Sequence, residues 1–108
     1  MAANVETITV SAAGRGSVHN TLDGTNADSI TVNCAASTGS VLVTFKNRGA
    51  ADVWIRWDGT TAAAEANGTY HVGAKENYQF EVPTGAPVLS IIAGSAVDYS
   101  VQASPYGG

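Results

Sequence analysis

The sequence is short of charge. Of its 108 residues, 13% are Asp, Glu, Lys or Arg, about half the ~25% usual in soluble domains. Ala, Gly, Ser, Thr, Val and Asn fill the gap, and such a mixture suits strands and turns better than charge-laced helices. The basic residues are few and scattered: Arg15, Lys46, Arg48, Arg56 and Lys75, against a net charge of −4. Without a basic stripe to contact phosphates, no nucleic-acid partner is expected. There is a single cysteine, Cys34, so no intramolecular disulfide forms and a disulfide-stapled scaffold is excluded. The first ten residues lack a basic start followed by an apolar run, so no secretory signal is expected. No stretch approaches the roughly 18 apolar residues of a membrane-spanning helix. The simplest setting is a soluble chain made in the cytoplasm, with no membrane partner.

Chemistry-bearing clusters are equally scarce. The two histidines, His19 and His71, read as surface residues. His19 lies in a polar stretch and His71 on the solvent face of a strand. Cys34 alternates onto an apolar face, as a buried inert thiol does. Two His and one Cys make no zinc spacing. Asp23, Asn26 and Asp28 offer side-chain oxygens within six residues but lack the Gly and distal Glu of an EF-hand loop, so an Asx-bonded turn is the reading. Gly14-Arg15-Gly16 lacks the third glycine and the strand-to-helix setting of a phosphate loop. The tripeptide Asn67-Gly68-Thr69 matches a glycosylation sequon, a weak signal with no secretion signal beside it. We therefore expect no enzyme, no metal, no cofactor and no small-molecule substrate.

What is present is alternation with a period of two. Tyr78, Phe80 and Val82 alternate with Asn77, Gln79 and Glu81; Val97, Tyr99 and Val101 alternate with Asp98, Ser100 and Gln102. Ile30, Val32 and Cys34 repeat the pattern, as do Tyr70 with Val72 and, more weakly, Ile8 with Val10. Two strands are apolar on both faces, 41–46 and 88–93, through Leu42, Val88 and Ile92; such strands sit centrally or against a partner. Gly94-Ser95 reads as a two-residue hairpin. Asp58-Gly59 and Asn67-Gly68 tolerate positive φ, and 83–87, bracketed by prolines, is a loop. The alanine-rich stretch 60–66 is too short for a stable helix and is read as a loop.

The prediction is an all-β chain: a single β-sandwich or jelly roll of about eight short antiparallel strands spanning 1–108, with a short N-terminal arm (1–4) and a loose tail (104–108). Its core should include Ile30, Val32, Val43, Phe45, Ile55, Tyr78, Phe80, Ile91, Tyr99 and Val101. The segment Val53-Trp54-Ile55-Arg56-Trp57 puts Val53, Ile55 and Trp57 inward and Trp54 and Arg56 outward. Exposed Trp and Arg are enriched where proteins bind partners; the alternative is a loop of the same chain covering Trp54. With Leu42, Val88 and Ile92, these two make the candidate partner-binding set.

Three segments carry a resemblance. Val53-Trp54-Ile55-Arg56-Trp57-Asp58-Gly59-Thr60-Thr61-Ala62-Ala63, then residues 68–80 (Gly68-Thr69-Tyr70-His71-Val72 to Tyr78-Gln79-Phe80), then residues 91–102 (Ile91-Ile92-Ala93-Gly94-Ser95 to Val101-Gln102), together resemble small β-sandwich virion proteins of tailed bacteriophages. The likeness spans about 41–102 and brings no catalytic signature. It implies a structural protein of the virion, made in the host cytoplasm: a capsid decoration or cement protein on the capsid exterior, or a minor head or tail component. The implied partners are the major capsid protein and the chain itself, as a homotrimer or dimer. A tail-associated, receptor- or carbohydrate-binding sandwich using Trp54, Trp57 or Tyr70 is the alternative.

Overall fold

The computed structural model describes residues 3–11, 16–36, 40–65, 67–82 and 86–105. Among these residues there are nine strands: β1 (Val5–Ser11), β2 (Gly16–Asp23), β3 (Asp28–Ala36), β4 (Val41–Asn47), β5 (Val53–Arg56), β6 (Tyr70–Val72), β7 (Asn77–Val82), β8 (Val88–Ala93) and β9 (Ala96–Pro105). They form a five-stranded sheet, β1-β3-β8-β5-β6, and a four-stranded sheet, β2-β9-β4-β7. The protein is an all-β sandwich. Each alternating segment sends one row of side chains between the sheets, as a period-two pattern requires.

Ile8, Val10, Ile30, Val32, Cys34, Val53, Ile55, Leu89 and Ile91 of one sheet meet Leu22, Val41, Val43, Phe45, Val97, Tyr99, Val101 and Ala103 of the other, all buried. The Phe45 and Tyr99 rings stack at 5.7 Å near the centre. Two residues expected in this core, Tyr78 and Phe80, are only half-buried and pack against its margin. β7 is the edge of its sheet, and the strand that should cover it from the other sheet, β6, is three residues long.

The connections depart from the sequence reading. Consecutive strands lie in opposite sheets everywhere except β5–β6. Gly94-Ser95 is therefore no hairpin: β8 and β9 belong to different sheets, and the two residues arch between them. The same crossing makes β1 and β3 run parallel, because the chain leaves the first sheet, runs along β2 in the second and re-enters in its original direction. The other pairings are antiparallel. Gly24 marks a close approach between turns. Its φ is 87°, and a Cβ there would lie 2.9 Å from the Ser95 backbone, so glycine is needed twice over.

Of the expected arm and tail, Asn4 and residues 104–105 are held in the fold, and residues 1–2 and 106–108 lie outside the described residues. Ser104 and Pro105, read as loose tail, continue β9 opposite Leu42 and Val41. Asn4, read as part of a free arm, is locked: its backbone N and side-chain Nδ2 donate to the two oxygens of Asp28 at 2.8 and 2.9 Å. Its Nδ2 also donates to the Thr21 carbonyl at 3.0 Å. The Tyr99 hydroxyl donates to Asp28 Oδ2 at 2.7 Å, so this buried carboxylate ties β1, β3 and β9 together. Burial, then the bond to Asp28, pushes the Tyr99 phenol far above the ordinary tyrosine range. A second buried polar residue, Asn47, donates through Nδ2 to the carbonyls of Ala51, Val72 and Gly73 and accepts from Gly49 N. Such full satisfaction makes a buried amide tolerable.

Candidate interaction surface

The outer face of the five-stranded sheet carries three of the five partner-binding candidates. Register places Trp54 between Ile92 of β8 and His71 of β6. Val88 stands further along the same face of β8, 39% exposed, and Val5 of β1 is 78% exposed. A solvent-facing sheet surface would carry polar groups at these positions. Trp54 is half-buried, its ring 5.7 Å from the His71 imidazole, whose Nε2 lies 3.1 Å from Asp52 Oδ1. Trp54, His71, Asp52 and Glu65 line a shallow depression of about 400 Å³. The segment after β5 lies over part of the face, where the buried Ala62 N donates to Ser90 Oγ at 2.9 Å.

The other two candidates are elsewhere. Arg56 is not offered outward. Its Nε and Nη2 hold both oxygens of Asp58, and Nη1 donates to the Asn67 carbonyl at 3.1 Å. Its side chain is 12% exposed. A Cβ at Gly68, whose φ is 91°, would sit 2.7 Å from the guanidinium, so the glycine lets the loop close over it. The bond to Arg56 holds the Asp58 carboxyl at about 2, and the same bond raises the guanidinium. Arg56 is a clamp for its own loop. Leu42 lies in the opposite sheet, half-buried, on the outward face between Glu81 and Ser104. The five residues therefore do not form one surface.

The outer face of the four-stranded sheet is polar. His19, Ser100, Lys46 and Asn77 stand side by side across β2, β9, β4 and β7. With Thr44, Arg48 and Gln102 they line a depression of about 410 Å³. The His19 Nδ1 and Ser100 Oγ lie 2.7 Å apart, a pairing of residues 81 apart in sequence that sequence reasoning missed. Cross-strand register was the missing information, because β2 was not recognised as a strand. A Ser–His contact alone does not make a hydrolase. The nearest outward acid on β9, Asp98, accepts from Thr21 Oγ1 rather than orienting the imidazole. β9 is also paired on both sides, so the backbone N–H groups around Ser100 are committed to the ladders and none is left to hold an oxyanion.

The Asp23 turn is occupied by its own chain. Oδ1 accepts from Thr25 N and Asn26 N at 2.8 Å, and Oδ2 from Asn26 Nδ2 at 2.9 Å. These bonds, that to Asn26 N foremost, hold the carboxyl at about 2. Asp28 points inward to Tyr99. Among the described residues no three His, Cys, Asp or Glu side chains gather as metal ligands would. The buried Cys34 Sγ donates to the Val32 carbonyl, and burial pushes its thiol up.

A third surface lies at the seam between β6 and β7. Phe80 lies flat on Trp57 at 3.8 Å and 6°, Tyr70 stacks on Trp57 at 5.0 Å, and Tyr78 stacks on Tyr70 at 5.3 Å. All four rings come from positions in phase with the core, yet Tyr70 is 47% exposed. The sequence pattern gave their inward phase; it could not show that the sandwich is open at this margin.

No family model matches the chain, and no curated protein matches it in sequence. Among solved structures, it is similar to the pre-peptidase C-terminal domain of a collagenase from Bacillus anthracis, at 14% identity and a TM-score of 0.56, over 95% of this chain and 97% of that one. It is also similar to PliG, a periplasmic inhibitor of g-type lysozyme from Aeromonas hydrophila, at 17% identity and a TM-score of 0.49, over 95% and 98%. A third is a pilus protein of Bacillus endospore appendages, at 13% identity and a TM-score of 0.46, over 83% and 82%. The first likeness concerns the sandwich fold alone.

Proposed function

We propose that this chain is a non-catalytic structural module of a tailed-bacteriophage particle: a decoration or cement protein that binds the major capsid protein on the outside of the head and strengthens the lattice. The observation that carries the reading is Trp54 and Ile92 side by side on the outer face of the five-stranded sheet, with Val88 exposed further along β8, where a free sandwich would present polar groups. The sequence resemblance over 41–102 supplies the kind of partner. With so few charges, the contact would be apolar and shape-driven, and it would persist at high salt.

The test is to strip the protein from particles, re-decorate a portion and heat both. Re-decorated heads should burst at the higher temperature; equal bursting temperatures refute the stabilising role. Val88→Asp should weaken re-decoration while leaving the isolated fold intact, because the residue is exposed.

One observation favours a second reading, a receptor- or carbohydrate-binding module of the tail. Trp54 borders a depression with Asp52, Glu65 and His71, and an aromatic edge beside carboxylates is what a sugar hydroxyl array meets. Glycan binding that Trp54→Ala abolishes, together with a handful of copies per particle, would select it.

A further inference from the structure

The two sheets have four edges between them: β1, β6, β2 and β7. An unpaired edge presents a row of free N–H and C=O groups, and stable proteins shorten, bend, charge or cover it. Three of these edges are managed. β6 has three residues. β1 is irregular, with a register shift between Thr9 and Ser11. β1 and β2 also shield each other: Asn20 Nδ2 donates to Glu6 Oε2 at 3.1 Å, and Asn4 Nδ2 to the Thr21 carbonyl at 3.0 Å.

Among the described residues β7 carries only one of these devices, the exposed carboxylate of Glu81. Its six residues pair with β4 in unbroken register from Asn77–Lys46 to Val82–Val41, and they include no Lys and no Pro. Its own half-exposed rings, Tyr78 and Phe80, stack with Trp57 and Tyr70. An edge of unbroken register continuous with partly exposed aromatic surface is suited to another extended strand.

We infer that β7 pairs with β7 of a second copy of this chain, antiparallel about a two-fold axis at Gln79, so that two four-stranded sheets become one continuous sheet. The inference rests on the structural-module reading and names the self-contact within it. The strand's own sequence is the argument for a second copy. In this register Gln79 faces Gln79, Asn77 faces Glu81 and Tyr78 faces Phe80. The outer face then pairs amide with amide and amide with carboxylate, and the inner face pairs ring with ring, with no like charges opposed. Glu76, the other acid near this edge, turns back to accept from Gly73 N at 2.7 Å. A two-fold contact of this kind closes on itself, so the exposed edge is consumed without leading to a fibre.

Gln79 is exposed, and its side chain donates to the outward-facing Thr44 Oγ1, so charge placed there tests pairing without disturbing the core. In sedimentation equilibrium at about 0.1 mM the native chain should be a dimer. Gln79→Lys sets two ammonium groups face to face and should weaken association by about tenfold or more; Gln79→Glu should do the same with two carboxylates. An equimolar mixture of the two variants should associate again, because the charges are then opposite. A monomeric native chain, a Gln79→Lys variant that dimerises as tightly as the native chain, or a mixture that stays monomeric would each overturn the pairing. The particle-heating experiment reads the module role separately. Native protein that dimerises but leaves the bursting temperature unchanged refutes that role alone, whereas monomeric native protein that still raises it refutes the pairing alone.

Discussion

Replacing Tyr99 by Phe removes one oxygen from the middle of the sandwich and leaves the ring in place. Tyr99 is fully buried, and its hydroxyl donates to Asp28 Oδ2 at 2.7 Å. The ring keeps its stack on Phe45 at 5.7 Å, so no ring-sized cavity opens and the cost is that of the hydrogen bond. A bond to a charged group contributes about 1.5–3 kcal/mol. Asp28 retains two donors from Asn4, at 2.8 and 2.9 Å, so the carboxylate is weakened in its support but not orphaned. That places the loss toward the lower half, about 1.5–2 kcal/mol, or roughly 6–16 °C in melting temperature for a domain of this size. Guanidinium unfolding followed by tryptophan fluorescence measures it. A loss below about 0.5 kcal/mol refutes the reasoning. The partner is tested by a double-mutant cycle with Asp28→Ala: the two losses should couple by about 1 kcal/mol or more, and additive losses would mean that the hydroxyl works through another group.

Asp23 and Asp58 are each held at about 2 against an unfolded value near 3.8; the unfolded chain therefore takes up protons first as pH falls, and the stability they confer is complete above 3.8 and lost on descent toward 2. Melting temperatures should fall through that window, less steeply in Asp58→Asn; a flat profile counts against the Arg56 clamp. Phe80→Ala should cost about 1.5–3 kcal/mol, below the 3–5 typical of a buried ring, because Phe80 is half-exposed; urea unfolding measures it, and a cost under about 1 kcal/mol would mean the stack on Trp57 contributes nothing. Asn47→Ala leaves the Ala51, Val72 and Gly73 carbonyls without their donor and should destabilise by about 2–4 kcal/mol by the same assay, while a loss below about 1 kcal/mol would show that water replaces it. Cys34, buried with its thiol pushed up, should react with an aromatic disulfide reagent only after unfolding, and fast reaction of the native chain would contradict its burial.

The strands with strict alternation were legible because burial on one face writes itself into the sequence. The 77–82 pattern matches β7 residue for residue, and Val41, Val43 and Phe45 fall on the buried side of β4 as read. β2 was illegible for the opposite reason. Its sequence is GSVHNTLD, and only Leu22 is fully buried; it is a strand because β9 offers it a ladder, which no local pattern records. The same blindness to partners turned the Gly94-Ser95 arch into an expected hairpin, since a two-residue link has the same composition whether its strands pair or face each other across a core. Candidate residues fared likewise. Alternation gave the outward phase of Trp54 and Arg56 correctly, but that Asp58 and the Asn67 carbonyl would capture the guanidinium depends on how the loop folds back.

The two outer faces differ in how their side chains are satisfied. On the four-stranded sheet, polar side chains satisfy one another: His19 with Ser100, Thr21 with Asp98 and Gln79 with Thr44. Such a face is complete in water and gains little from being covered. On the five-stranded sheet Val5 and Val88 are exposed and Trp54 and Ile92 half-buried, set among Thr and Ser side chains, and covering them removes apolar surface at about 25 cal/mol per Å². In the proposed module the five-stranded face would turn to the lattice and the four-stranded face to solvent. β7 edges the sheet that would face solvent, so its pairing with a second copy would run sideways, along the lattice. Docking and self-association would then use different surfaces, and a chain could engage its neighbour without releasing the head.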